Sequence, residues 1–382
     1  MSERATVSKL NGKSQSTTLS LPAINLFATR LITWQKKMGR HDLPWQKTRD
    51  AYHVWLSEIM LQQTQVSAVI TYYQRFLQRF PTVEALAAAP IDEVMALWAG
   101  LGYYSRARNL HQCAKKIVDD FAGQFPADDQ LLQTLPGIGR STAAAITVFS
   151  YGTRAAILDG NVKRVLSRVF GISGWPGLKA VEQQLWQLAT SLLPEREIES
   201  YTQGLMDFGA TLCKRSKPLC LDAPQTCPFA DDCVARSENR IHVLPEPKPR
   251  KTIPLRHAVI LVLRQQGRLL LQRRPPTGIW GGLWSLPQIN VTDSIKWPSP
   301  LQADWLRIAH DVGEIQGHTF LPELTHTFTH FRLRLLPVVL DVQLLPRNKM
   351  TDSVSLGQWF CVNQREKIGM PAPIKTLLEK LT

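Results

Sequence analysis

The first half of the chain places apolar residues at helical spacing almost throughout. From Pro22 to about Gly209, apolar positions recur at i, i+3, i+4 and i+7, which is the pattern of amphipathic helices. Pro and Gly residues interrupt this pattern repeatedly, so we expect several separate helices. The clearest helical runs are INLFATRLITWQ, YHVWLSEIMLQQ, VMALWAGL, RNLHQCAKKIV and VEQQLWQLATSLL.

The second half of the chain has the pattern of a sheet. The runs HAVILVL, RLLLQRR, FRLRLLPVVLDVQLL and QWFCV are typical of strands, and APIKTLLEKL predicts a closing helix. We therefore predict a multidomain protein with an all-α domain followed by an α+β domain. The predicted boundaries are a polar, disordered tail at 1–21, a helical domain at 22–240, a stiff Pro/Lys/Arg-rich linker at 241–256, and an α+β domain at 257–382.

Composition limits the function classes. The chain has 45 Lys and Arg against 31 Asp and Glu, a net charge of +14, which favours a polyanionic partner such as nucleic acid. No apolar run approaches the roughly 20 residues that a membrane span needs. The polar first residues also lack the apolar core of a secretion signal. We therefore expect a cytoplasmic protein without a membrane partner.

The segment LPGIGRST, residues 135–142, predicts a tight turn between two helices. Because Gly137 and Gly139 lack a Cβ, backbone N–H groups at the start of the second helix could converge on an anion. A nucleotide-binding P-loop is disfavoured, since no strand precedes the turn and no Lys follows it. Close packing of two helices is the alternative explanation for the glycines. The hairpin itself is placed at 135–140.

Glu58 and Asp159 are candidate catalytic carboxylates. Glu58 has Val54, Trp55 and Leu61 at helical-neighbour spacing, and such surroundings raise the pKa of a carboxyl group. A Glu at the edge of the core, satisfied by a local partner, is the alternative. Asp159 precedes Gly160 in a turn and helix-cap pattern that structure alone could explain. Two such carboxylates are also what cleavage of a glycosidic bond requires.

Four of the six cysteines lie at 213–233 with the spacing C-x6-C-x6-C-x5-C. In a chain expected to be intracellular, this clustering indicates metal ligation rather than disulfides. Four thiolates can bind zinc or an iron–sulfur cluster, and the spacing does not separate the two. The loop after the first cysteine carries basic residues that could meet phosphates. The four residues are Cys213, Cys220, Cys227 and Cys233.

Together these segments resemble the helix-hairpin-helix DNA glycosylase superfamily, and within it the adenine DNA glycosylase family. The resemblance runs from about Leu26 to the C-terminus. It is carried by LPW, WLSEIMLQQTQV, GLGYYSRARNL, LPGIGRSTAAAI, ILDGNVKRVLSR, SGWPG, the cysteine segment and RRPPTGIWGGLWSLPQ.

The resemblance implies a role for each candidate residue in the helical domain. Glu58 would protonate the departing adenine, Asp159 would stabilise the cationic sugar, and Asn161 would orient the site. Gln63 and Tyr103 would push into the base stack near the lesion, and an inserted amide and aromatic ring suit that task. The hairpin, with Gly137 and Gly139, would hold the DNA backbone through main-chain N–H groups.

The same resemblance predicts base removal without strand cleavage. Strand-cleaving relatives of the endonuclease III type carry a Lys nucleophile where this chain has Ser141, and a hydroxyl cannot form the required Schiff base. It also implies a Nudix-like C-terminal domain that reads the oxidised guanine through Phe328, Thr329 and His330. The acid cluster of a working Nudix hydrolase is missing after Gly281 and Gly282, so nucleotide hydrolysis is disfavoured.

The implied cofactor is a [4Fe–4S] cluster on the four cysteines, with zinc as the less favoured alternative. The spacing between the second and third cysteine is longer than is usual in the family. The implied partner is double-stranded DNA containing adenine opposite 8-oxoguanine or guanine, bound by a monomer associated with the nucleoid. A glycosylase with lyase activity and a non-catalytic lesion-binding protein are the competing hypotheses.

Overall fold

The computed structural model describes residues 21–249, 252–291, 312–328, 330–344, 357–361 and 368–381. By its internal contacts the chain divides into two compact units. Unit 1 takes in residues 1–41 and 152–248, and unit 2 takes in residues 42–151 and 249–382. The predicted helical region thus contributes to both units. The predicted domain boundaries stay predictions.

Unit 1 is helical in its described part. Helix α1 packs against α11, and the Phe27 ring stacks on Phe229 at 4.6 Å between centroids. The buried carboxylate of Asp207 accepts hydrogen bonds from the backbone and guanidinium of Arg40, both at 2.8 Å. A single π-helical turn, Phe208–Leu212, continues α11 toward the cysteines. The helices are α1 (Leu21–Met38), α9 (Gly160–Val169), α10 (Lys179–Ser191), α11 (Ile198–Asp207) and α12 (Val234–Ser237).

Unit 2 begins with a helical part whose core is rich in aromatic residues. Trp55 on α2 and Trp98 after α5 are both fully buried. Helix α2 packs against α8, and α4 packs against α6. The helices are α2 (Ala51–Leu61), α3 (Val66–Arg79), α4 (Val83–Ala88), α5 (Ile91–Leu97), α6 (Ser105–Phe121), α7 (Asp129–Gln133) and α8 (Arg140–Tyr151).

In residues 252–381 of unit 2, which we call the sheet region, the described strands form a mixed sheet. Its central strands β1 and β7 pair in parallel, and every other described pairing is antiparallel. The main strand order is β3-β2-β1-β7-β5, with β4 beside β1, β6 beside β7 and β8 beside β2. The strands are β1 (Leu255–Gln265), β2 (Arg268–Arg273), β3 (Trp284–Ser285), β4 (Gln288–Val291), β5 (Gly313–Phe320), β6 (Leu324–Thr327), β7 (Arg332–Leu344) and β8 (Gln358–Cys361).

Both faces of β1 are buried, which explains its continuous apolar run. Ala258 and Ile260 belong to one core cluster, and Val259 and Leu261 belong to the other. A final helix, α13 (Ala372–Glu379), buries Ile374 against the first of these faces. The all-α plus α+β prediction is therefore confirmed.

Two predicted helices end earlier than the apolar pattern suggested. The prediction extended α2 to Gln63, but the helix ends at Leu61 because Gln63 adopts a φ of 57°. The prediction extended α5 to Leu101, but the helix ends at Leu97 because Gly100 and Gly102 also have positive φ. Apolar spacing does not record such a local change of backbone direction. Among the described helices, none is long and apolar enough to cross a membrane.

Candidate active site and cysteine pocket

Glu58 lies on α2, and the start of this helix is capped by Asp50. The Asp50 carboxylate accepts hydrogen bonds from the backbone N–H groups of Tyr52 and His53, which fixes the start of the helix. Val54 and Trp55 are buried, while Glu58 itself is half-buried. The carboxyl group therefore lies at the edge of an apolar core, which agrees with both the catalytic and the structural explanation of Glu58.

A buried arginine joins the end of α2 to the loops of Gln63 and Tyr103. One Arg106 guanidinium nitrogen donates to the carbonyls of Ile59 and Met60, each at 2.8 Å. The other nitrogen donates to the Thr64 hydroxyl at 3.1 Å. It also donates to the carbonyls of Leu101 and Gly102, each at 3.2 Å.

Gln63 and Tyr103 thus lie in two loops that are both hydrogen-bonded to Arg106. Both are exposed and both have a positive φ, 57° for Gln63 and 49° for Tyr103. The Arg106 guanidinium also lies 5.6 Å from the centre of the Tyr103 ring. Burial lowers the pKa of Arg106 to about 10, so the side chain stays charged at neutral pH.

The glycine hairpin joins α7 to α8, as predicted. Gly137 has a φ of 80°, and a Cβ there would stand 2.9 Å from the Cβ of Asn109. A Cβ on Gly139 would meet no atom within 4 Å, and this residue is exposed. Close packing therefore explains Gly137 but not Gly139. Ser141 lies in the first turn of α8.

Asp159 caps the N-terminus of α9 in unit 1. One carboxylate oxygen accepts from the Val162 N–H at 2.8 Å, and the other accepts from the Asn161 amide at 3.1 Å. Burial raises the pKa of Asp159, while these hydrogen bonds and the charge of Arg164 act to lower it. The Arg164 guanidinium in turn donates to the Asn161 side-chain oxygen at 2.8 Å. Asp159 is therefore half-buried and fixed in orientation.

The same arginine ties the start of α9 to the cysteine segment. Arg164 donates to the carbonyl of Gly209 at 2.6 Å and to the carbonyl of Cys213 at 2.8 Å. One turn later, the buried Arg168 donates to the carbonyl of Lys214 at 2.7 Å and lies 3.5 Å from the Cys213 sulfur. Helix α9 thus carries Asp159 at its start and two supports of the cysteine segment on its next turns.

One pocket in unit 1 is lined by all four predicted cysteines. Each is a free thiol, three are buried, and Cys227 is half-buried. Burial, with a smaller contribution from the neighbouring thiols, raises the pKa of Cys227 to about 12. Within the described residues, no three His, Cys, Asp or Glu side chains form a group that could hold a single metal ion. The pocket is also lined by Arg168, Phe208, Leu212, Phe229 and Arg236, among others.

The predicted lesion-reading loop follows β6. The Phe328 N–H donates to the Phe331 carbonyl at 2.8 Å. The Phe328 ring stacks on Phe331 at 4.7 Å, and the ring of the exposed His330 lies 4.9 Å from Phe331. Thr329 lies outside the described residues.

Comparison with known proteins fits this geometry. A family model described as HhH-GPD superfamily base excision DNA repair protein matches residues 56–191, and a NUDIX domain model matches residues 258–380. An adenine DNA glycosylase of Buchnera aphidicola subsp. Schizaphis graminum is 34% identical over 93% of this chain and 99% of its own length. The chain belongs to the adenine DNA glycosylase family.

Two further comparisons show similarity to DNA glycosylases. The adenine DNA glycosylase of Homo sapiens is 34% identical over 81% of this chain and 66% of its own length. A solved thermostable thymine-DNA glycosylase is 30% identical, with a TM-score of 0.51 over 56% of this chain and 97% of its own. The predictions of a base excision repair enzyme and of a Nudix-like C-terminal domain are confirmed.

The predicted site residues of this chain form separate groups in the two units. Unit 2 holds Glu58, Gln63 and Tyr103 around Arg106, together with the hairpin. Unit 1 holds Asp159 beside Asn161, and the cysteine pocket. The two carboxylates therefore belong to different units.

Three arginines of this site were missed by sequence reasoning. Arg106, Arg164 and Arg168 were not singled out, although their positions carry a signal. Arg106 precedes Leu110 and Cys113 at helical spacing, so a charge stands on the core-facing side of α6. A basic residue at such a position indicates carbonyl partners inside the protein.

Proposed function

We propose that this chain is a monofunctional glycosylase that flips adenine out of a pair with 8-oxoguanine or guanine and hydrolyses its N-glycosidic bond. Family membership supports the choice of adenine. The observation that supports the chemistry best is Asp159, a half-buried carboxylate with a raised pKa, which the Val162 N–H and the Asn161 amide fix in place. Such a group is prepared to stabilise positive charge without first reorganising.

In the proposed reaction, Glu58 and Asp159 act on the same extruded nucleotide. Glu58 donates its proton to the adenine as the C1′–N bond breaks, so that adenine leaves neutral. The Asp159 carboxylate stabilises the oxocarbenium-like sugar, and water completes the hydrolysis. Asn161 keeps Asp159 in place. Because Ser141 offers no amine, no Schiff base forms and the DNA strand stays intact at the abasic site.

Binding of the duplex is assigned to four elements. Gln63 and Tyr103 enter the base stack and offset the cost of unstacking. The exposed Gly139 lets the DNA backbone approach the N–H groups that begin α8. Phe328, Thr329 and His330 contact the base opposite the adenine. The net charge of +14 favours phosphate contacts, and the enzyme works as a monomer on the DNA of the nucleoid.

We assign a [4Fe–4S] cluster to the cysteine pocket. Four cysteines around one pocket could supply the four thiolate ligands that such a cluster needs, and the charge of Arg168 would offset part of the negative charge of those thiolates. Ligation by Cys213 and Cys220 would fix the loop between them, in which Arg215 and Lys217 are exposed. Metal analysis of purified protein should find about four iron atoms per chain and little zinc.

One assay tests the proposed reaction. A duplex with adenine opposite 8-oxoguanine is incubated with the protein, and strand breaks are compared with and without alkali. Breaks after alkali alone support a monofunctional glycosylase. Breaks without alkali would indicate lyase activity, and absence of product with retained binding would indicate a lesion-binding protein.

Two substitutions test the assigned carboxylates. Glu58→Gln and Asp159→Asn should bind the duplex like the wild type but lose at least about a hundredfold in single-turnover rate. Glu195→Gln changes an exposed glutamate in unit 1 and serves as the control, with an unchanged rate. A wild-type rate in either carboxylate variant would refute the role of that residue.

A further inference from the structure

The sheet region packs tightly on two helices of the same unit. Leu283 is fully buried within the core cluster of the helical part, although it directly precedes β3. A Cβ on Gly369 would stand 3.1 Å from the Cβ of Met95 on α5. There is thus little space between the sheet region and the helices, so this contact behaves as a packed surface.

Two side chains at the start of α6 also form hydrogen bonds to the sheet region. The Tyr104 hydroxyl donates to the Met370 carbonyl at 3.2 Å. The Arg108 guanidinium donates to the Gly281 carbonyl. Burial lowers the pKa of Arg108 and raises that of Tyr104, so both groups are partly removed from water. Four residues apart, they face the same side of the helix.

The residues next to them serve the loop of Tyr103. Tyr103 immediately precedes Tyr104, and Arg106 lies between the two hydrogen-bonded side chains in sequence. Arg106 holds the Leu101 and Gly102 carbonyls of the Tyr103 loop. The six residues 103–108 therefore include Tyr103, which would enter the base stack, and Arg106, which holds its loop. They also include Tyr104 and Arg108, the two side chains hydrogen-bonded to the sheet region.

We propose that Tyr104 and Arg108 are specificity-determining positioning residues, which connect recognition of the opposite base by the sheet region to the placement of Tyr103. The inference rests on the proposed function. Contact with the opposite base can speed adenine removal only if its binding energy is used to hold the reacting nucleotide in place. A rigid connection between the sheet region and the loop of Tyr103 would use the binding energy in this way. Without this connection, the same contact contributes to DNA affinity alone.

The test compares two substrates in single-turnover experiments. Tyr104→Phe, Arg108→Met and the double variant are assayed on adenine opposite 8-oxoguanine and opposite guanine, and duplex affinities are measured alongside. We expect the ratio of the two rates to fall by at least about fivefold in the double variant. The rate opposite guanine and the ratio of affinities should stay close to wild type. Arg108→Lys keeps a donor and should restore part of the rate ratio.

A matched control is an ion pair that also connects the sheet region to the helices. Arg273 in β2 pairs with Asp92 on α5 at 2.6 Å, and both side chains are about two-fifths exposed. Arg273→Met removes this pair, remote in sequence from Tyr103, and should leave the rate ratio unchanged.

Three results with the variants would overturn the inference and leave the proposed function intact. They are an unchanged rate ratio in the double variant, an equal loss on both substrates, and an Arg273→Met effect as large as that of Arg108→Met. A wild-type protein that removes no adenine would overturn the proposed function, and the inference with it. A wild-type preference for 8-oxoguanine that the variants keep would overturn the inference alone.

Discussion

Gly137 and Gly139 lie two residues apart and lack a side chain for different physical reasons. Gly137 needs a positive φ and has Asn109 against it. Gly139 has neither constraint, since its φ is not in the left-handed region and a Cβ there would meet open space. Nothing in the described part of the chain requires glycine at position 139, whereas close approach of a DNA backbone would.

This contrast predicts opposite effects of two alanine substitutions. Gly139→Ala should leave the free energy of unfolding unchanged or raise it by about 0.5 kcal/mol, and should weaken duplex binding by several-fold. Gly137→Ala should cost about 1–3 kcal/mol of stability because of its backbone conformation. Urea unfolding and fluorescence anisotropy with labelled duplex measure the two quantities. Full DNA affinity in Gly139→Ala would remove the hairpin from the DNA contact.

Asp159 is a catalytic candidate whose neighbours control its charge. Burial disfavours the carboxylate, and the amide of Asn161 favours it. The proposed reaction requires the ionised form. Since the pKa of Asp159 is raised above the ordinary 3.8, activity should fall on the acid side at a higher pH than for an exposed aspartate.

Asn161→Ala tests this balance. Loss of the amide removes a contribution that lowers the pKa of Asp159, so the acidic limb of the single-turnover rate should move to higher pH. The rate at high pH should fall less than the rate at low pH. Rates measured on one duplex across a pH series give the result, with Glu195→Gln as the control. An acidic limb that keeps its wild-type position would exclude a charge-stabilising role for Asn161.

At the scale of elements, α6 organises unit 2 through its first turns. Arg106 accounts for five hydrogen bonds, four of them to backbone carbonyls. Two of those carbonyls, of Ile59 and Met60, belong to the last turn of α2, where helix carbonyls lack intrahelical partners. The guanidinium therefore completes the C-terminus of the helix that carries Glu58.

Arg106→Met should consequently be destabilising. It leaves buried carbonyls without a donor, so we expect a loss of about 2–4 kcal/mol in the free energy of unfolding, measured in urea. Arg75→Met is the matched control. Arg75 also lies near an aromatic ring, 5.7 Å from that of Tyr72, but it is exposed, and its loss should cost less than about 0.5 kcal/mol. Similar losses for the two variants would contradict the anchoring role.

The elements also show how far the sequence alone could reach. The bodies of the helices, the hairpin and strands β1, β2 and β7 follow from periodicity, because their apolar faces are the ones that pack. The ends of α2 and α5 do not, since they depend on positive φ at Gln63 and Gly100. The candidate site residues were found through motifs. Their arginine supports were missed because the helical spacing that puts Arg106 on the core-facing side of α6 does not show which distant carbonyls it contacts.

At the scale of the whole molecule, charge is the property that the proposed function uses most directly. The net charge of +14 attracts DNA at any sequence. Loop residues Arg215 and Lys217 are exposed beside the cysteine pocket, and Arg168 fixes the backbone of the loop through the Lys214 carbonyl. A held loop can present its charges to phosphates at a lower entropic cost than a mobile one.

This arrangement predicts that the position of the charges matters as well as their sum. Replacing Arg215 and Lys217 by Gln should reduce the slope of log affinity against log salt by about 1 for each side chain that contacts a phosphate. Replacing Lys375 and Lys380, two exposed lysines on or beside α13, lowers the net charge by the same two units and should change the slope less. Anisotropy titrations over a range of salt concentrations give both slopes. If the two pairs changed the slope equally, total charge alone would govern DNA binding and the loop would have no special place in it.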